Sequence, residues 1–97
     1  MPLFAVICRD KPGALDIRMA TRDAHLAHIR DSGIVTYAGP FLQDGQMCGS
    51  LVVLDTTDLA AAQAWADADP YKAAGLFDSV EVIEWKKVVG FDGDGEC

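Results

Sequence analysis

AAAQAWADADPYKAAGL, residues Ala60 to Leu76, is the stretch on which the fold turns. Alanine is the best helix former, and Trp65 is the single large apolar residue of the first half, so this half reads as a helix that needs little tertiary help. Pro70 lacks a backbone donor and biases Asp69 away from helical dihedrals. The helix is therefore expected to stop at about Asp67 or Ala68, with Asp69 at its C-terminal lip and Tyr71 beside it. At about 100° per residue, Leu59, Ala62, Trp65 and Ala66 share one face, and Asp69 falls on its continuation. A carboxylate at the negative end of a helix, beside a buried face, calls for a cation or a donor. A local turn bond, the common habit of Asp before Pro, is the competing account.

Around this helix the chain alternates. Leu3–Cys8 is a wholly apolar run bounded by Pro2 and by Arg9-Asp10-Lys11-Pro12-Gly13, and reads as a buried strand. Ala14–Ile17 leads into a helix predicted from about Arg18 to Asp31, with Gly33 as its stop. Ile34–Gly39 is a second strand; Gly39-Pro40 marks a bulge or a sheet edge, and Phe41 and Leu42 continue its pattern. Asp44-Gly45 signals a hairpin into a third strand, Gly49–Asp55. Thr57 or Asp58 caps the alanine-rich helix. Asp78–Val89 is a fourth strand. The order βαββαβ suits a split βαβ arrangement, an α+β fold with a four-stranded antiparallel sheet and both helices on one face. One domain, residues 1–89, is expected, followed by a polar tail, residues 90–97, rich in Gly and Asp.

Composition narrows the partners. The chain has 97 residues, 51% of them hydrophobic, and a net charge of −7. That balance argues against nucleic acid and against anionic lipid, both of which need a basic surface. The three cysteines, Cys8, Cys48 and Cys97, have no metal-type spacing and point to a reducing cytoplasm. No signal-like segment precedes the first strand, and no apolar run reaches membrane length.

With helices on one face of the sheet, the other face should alternate polar residues. Leu3–Cys8 and Leu51–Leu54 are apolar at both parities instead. A second copy of the chain, packed sheet to sheet about a two-fold axis, is the expected cover, with a longer loop or the C-terminal strand folding over that face as the competing account.

The first helix carries its own anomaly. Met19, Leu26 and Ile29 predict its inward face; Arg22 falls within that face, His25 on its flank and His28 toward solvent. In the expected fold His25, and with it Arg22, can meet Asp69. An imidazole held by a carboxylate has a fixed tautomer and a raised pKa, which suits a general base. The same pair can equally serve as a structural clamp. His25 and His28 diverge too far for a metal site without a third ligand, and Cys48-Gly49-Ser50-Leu51 is half of a nucleophile elbow.

Several motifs in order resemble the YciI-like family over nearly the whole chain: Arg22-x-x-His25-Leu26, Ala38-Gly39-Pro40, Gly49-Ser50, Ala62 through Tyr71 followed by Ala74-Gly75, and Trp85-Lys86-Lys87-Val88. The resemblance implies a ferredoxin-like fold of the dimeric α+β barrel type and an active site on a His–Asp pair, here His25 and Asp69. Arg22, Ser50 and Tyr71 occupy matching positions around the same pocket, as substrate-binding candidates. The link from Gln43 to Cys48 is shorter than in some family members.

Relatives in this superfamily include a dehydrochlorinase of chlorinated hydroxyquinols, and the wider fold includes lactone isomerases. By that likeness the chain reads as a small enzyme moving a proton on a cyclic, anionic or phenolic substrate, by elimination or isomerisation. No dinucleotide or phosphate motif implies a cofactor, and no metal set is expected. The alternative is a non-catalytic dimeric module that binds a small ligand and whose His–Asp pair is structural.

Overall fold

The computed structural model describes residues 2–90. Its elements are β1 (Leu3–Asp10), α1 (Leu15–Ser32), β2 (Val35–Gln43), β3 (Gln46–Asp55), α2 (Leu59–Asp67), α3 (Pro70–Ala73) and β4 (Phe77–Trp85). The strands form one antiparallel sheet in the order β2-β3-β1-β4. This is the ferredoxin-like βαββαβ architecture, with one extra helical turn, α3, before the last strand. Residues 91–97, most of the polar tail read from sequence and including Cys97, lie outside the described residues.

Strand alternation sets the two faces. Phe4, Val6 and Cys8 of β1 point to the helical side, aligned with Leu54, Val52 and Ser50 of β3. They close a core with Ala62, Trp65 and Ala66 of α2. Asp58 caps α2, its side chain accepting from the Ala61 N–H, and Gly33 ends α1 at φ 70°.

Several boundaries differ from the sequence reading, for physical reasons. β2 continues past Gly39-Pro40 to Gln43; it is the edge strand that this dipeptide signals, where Pro40 can forgo a ladder donor, and its register slips just beyond, between Phe41 and Leu42. β3 starts at Gln46, since the two-residue turn Asp44-Gly45, at φ 52° and 78°, pairs Gln43 with Gln46. β4 ends at Trp85 and not at Val89: its neighbour β1 begins at Leu3, opposite Trp85, and offers no further ladder. α1 starts at Leu15 behind Ala14, so the Ala14–Ile17 lead-in is largely helix. Pro70 ends nothing further on; it is the first residue of α3, where its missing N–H is harmless.

The inward face of α1 differs in part: Ile29 packs on the core as expected, the other two apolar residues do not. Its buried residues are Arg18 and His25, while Met19 is 54% exposed and Leu26 is exposed as well. His28 does not project into solvent: its ring stacks on Trp65, centroids 4.5 Å apart, and Nε2 lies 3.1 Å from the Trp65 carbonyl oxygen. The Trp65 indole N–H in turn donates to Ser32 Oγ at 3.0 Å. The far end of α1 is thus fastened to α2 by polar contacts around one indole.

At Gly49 the sheet leaves no room for a side chain. A Cβ there would collide with the Cys8 carbonyl oxygen and press on the Phe41 ring. Gly49→Ala is therefore expected to destabilise the fold by roughly 1–3 kcal/mol in urea denaturation, as overpacking does. The same change at Gly39, which has no neighbour in reach of a Cβ, should leave stability nearly unaltered.

Candidate active site

Asp69 sits between α2 and α3. Its backbone is extended, and its Oδ1 accepts the Tyr71 N–H at 2.9 Å, which caps α3. The same oxygen lies 2.9 Å from His25 Nδ1. The turn bond typical of Asp before Pro and a bond to the first helix therefore coexist on one atom. Both residues are buried, with side chains 8% and 3% exposed. A carboxylate accepts only, so the Nδ1 position carries the proton and Nε2 of the neutral ring is left as an acceptor. Among the described residues no fully enclosed side-chain nitrogen or oxygen lacks a partner. Nε2 has no partner among the described residues, so it borders the open cavity that His25 lines.

Tyr71 forms the floor. Its ring stacks on His25, centroids 4.0 Å apart and planes 17° from parallel, and meets Phe77 edge-on at 5.9 Å. The Arg18 guanidinium carbon stands 4.7 Å from the centre of the same ring. Burial raises the Tyr71 pKa against the opposing pull of Arg18 and Arg22, so the phenol is protonated at neutral pH.

Arg18 is the site residue that apolar periodicity misses. It is 3% exposed. Its Nε and Nη2 clasp the two oxygens of Asp10 at 2.7 and 2.8 Å, and Nη2 also donates to Ser50 Oγ at 2.9 Å. Burial opposes the Arg18 charge, but the hydrogen bonds and charge of Asp10 outweigh it and hold its pKa above the ordinary value. A signal was present in the sequence: Arg18 lies one helical turn before Arg22 and two before His25.

These groups surround a cavity of about 170 Å³ between α1 and the β2–β3 hairpin. Arg18, Arg22, His25, Ser50 and Tyr71 supply its polar lining, and Ala38-Gly39-Pro40 forms one wall. Four of the five sequence candidates, Arg22, His25, Ser50 and Tyr71, line it, and Asp69 stands behind His25. Arg22 is exposed and has no hydrogen bond or ion pair with the described residues. No carboxylate lines the cavity. In a chain of net charge −7 this is a local cationic site suited to an anion. The nearby Cys8 thiol is pushed up to about 12 by burial and then by the Asp69 charge, so it is no thiolate nucleophile. Among the described residues no three His, Cys, Asp or Glu side chains converge as a metal site. No helix among them is long and apolar enough to cross a membrane.

Comparison with known proteins agrees with this architecture. A model of the YCII-related domain matches residues 2–86. Protein YciI of Escherichia coli O6:H1 is 41% identical, with 89% of this chain and 98% of that one aligned. Among solved structures, 5-chloro-2-hydroxyhydroquinone dehydrochlorinase from Burkholderia phenoliruptrix, in complex with 2,5-dihydroxybenzoquinone, superposes with a TM-score of 0.81 at 30% identity, covering 87% of this chain and 93% of that one. A dimeric ferredoxin-like protein of unknown function from Jannaschia shares the fold at a TM-score of 0.54 and 17% identity, covering 90% of this chain and 100% of that one.

The doubly used Asp69 oxygen gives a direct stability test. Asp69→Ala removes a cap worth about 1 kcal/mol and strands a buried donor at a further 1–3 kcal/mol, so a loss of about 2–4 kcal/mol is expected in urea denaturation. Asp69→Asn retains an oxygen that both donors can use and should lose less than about half of that.

Proposed function

The chain belongs to the YCII-related domain family, and on that premise we propose that it is a small enzyme in which His25 and Asp69 transfer a proton on a small cyclic, anionic or phenolic substrate. One observation carries the reading: the Nδ1 side of His25 is held by a buried carboxylate while its Nε2 borders a cavity lined by cations and donors. In this role Nε2 takes the proton. Asp69 keeps the ring in the useful tautomer and balances the charge of the imidazolium. Arg22 at the rim holds an oxyanion, and Ser50 and Tyr71 offer hydrogen bonds to it. The electron pair released moves toward a leaving group, giving elimination, or toward an adjacent carbonyl, giving isomerisation. The likeness to the dehydrochlorinase supports the first outcome. The reading includes a cytoplasmic setting, which the free thiols Cys8 and Cys48 suit.

A second reading has an observation of its own. Asp69 also caps α3, and His25 is 6% exposed, as a clamp between two helices would be. Chloride release from 5-chloro-2-hydroxyhydroquinone, with lactones screened in parallel, separates the two. His25→Gln should lower turnover about 10²–10⁴-fold, the usual share of a general base, while melting near the wild type. Unchanged turnover in His25→Gln contradicts the enzyme reading. So does a wild type inert to both substrate classes whose Asp69→Asn variant melts far lower.

The assembly proposed is a homodimer through the open sheet face. Leu3, Ile7, Leu51, Ile83 and Trp85 lie on that face, with Leu51, Ile83 and Trp85 37%, 48% and 41% exposed. An apolar patch of this kind in water favours a self-complementary cover. Sedimentation at micromolar concentration should give twice the chain mass, and Ile83→Lys should shift it to the monomer. A monomeric wild type contradicts the proposal.

A further inference from the structure

Ser50 is placed among groups that decide which way its hydroxyl works. Arg18 has five N–H donors and no acceptor. Its Nη2 uses both protons, one on Asp10 Oδ1 and one on Ser50 Oγ. Ser50 Oγ is therefore the acceptor in that bond, and its own O–H has no acceptor among the described residues. Ser50 is 4% exposed and lines the cavity, which is where that proton is free to point. His25 faces that space from α1 with the opposite function, an acceptor nitrogen backed by Asp69.

We propose that Asp10, acting through Arg18, is a positioning residue that turns the Ser50 hydroxyl into the cavity as a directed donor, and that Ser50 and His25 together select a single-ring ligand carrying an acidic hydroxyl and a second oxygen. The hydroxyl gives its hydrogen bond to His25, and the second oxygen accepts from Ser50. The size fits: a cavity near 150 Å³ holds one benzene ring, and this one measures about 170 Å³. The ion pair alone would explain a staple between β1 and α1. The extension from Nη2 to Ser50, on the side where the cavity opens, is what a staple does not need.

The inference rests on the proposed site but not on turnover, so binding tests it separately. Phenol and the three dihydroxybenzenes serve as probes in calorimetric titration. The wild type is expected to bind at least one dihydroxybenzene about tenfold or more tighter than phenol, the share of one well-placed donor. Ser50→Ala should erase that preference, and Asp10→Asn should erase most of it. The double variant Asp10→Asn/Ser50→Ala should lose no more than Ser50→Ala alone, because Asp10 acts through Ser50. Losses that add, or a preference that survives Asp10→Asn, overturn the relay. A wild type that binds no dihydroxybenzene better than phenol overturns it too. Should Asp10→Asn not fold, Arg18→Lys carries the test. It keeps a charge for Asp10 but lacks the planar fork that reaches Ser50, and must likewise lose the preference.

Discussion

A single carboxylate oxygen organises this protein. Asp69 Oδ1 accepts from the Tyr71 N–H and from His25 Nδ1, both at 2.9 Å. The first bond starts α3 and thereby sets where the Tyr71 ring lies. The second ties α1 to that same turn. With both made, the His25 ring and the Tyr71 ring meet face to face, and Arg18 comes to rest over the tyrosine. Local backbone chemistry at Pro70 and long-range packing of two helices are thus one constraint, which is why Asp69 tolerates burial at 2% exposure.

Two carboxylates back the cavity without entering it. Asp69 stands behind His25, and Asp10 stands behind Arg18. Each anion is spent on a cation or donor that then faces the open space. The cavity is left with cationic and hydroxyl donors, one imidazole acceptor and a short apolar wall from β2. The acidity of the whole chain and the character of its pocket are therefore opposite in sign, and the second follows from where two hydrogen-bonded pairs point rather than from net charge.

Much of this was legible in the chain. Apolar runs located β1 and β3, Asp44-Gly45 located the hairpin, and the break at Pro70 flagged Asp69. The orientation of α1 was not legible by the same means. Periodicity assumes that apolar residues face inward, but the inward stripe of α1 carries Arg18 and His25, with His28 against Trp65; of the three apolar residues that predict this face only Ile29 packs on the core, while Met19 and Leu26 are exposed. A helix that lines a polar cavity inverts the signal used to orient it. Arg18 was hidden for that reason, and its partner Asp10 reads as an ordinary turn residue until β1 and α1 are brought together. The end of β4 was set by the length of β1, a property of the neighbour that no local pattern within β4 carries.

The helix stripe has a consequence for how the site comes into being. Arg18, Arg22 and His25 share one helix, so their mutual spacing exists as soon as α1 winds, a local and rapid event. Their counterparts come from elsewhere: Asp10 is 8 residues from Arg18 along the chain, Ser50 is 32 residues from Arg18, and Asp69 is 44 residues from His25. Closing those contacts requires progressively longer loops to be ordered. The pocket thus joins a cationic half, whose spacing is fixed within one helix, to an anionic backing that only contacts distant along the chain supply. Its geometry is complete only when the whole fold is, so the site reports on the integrity of the domain as no single element does.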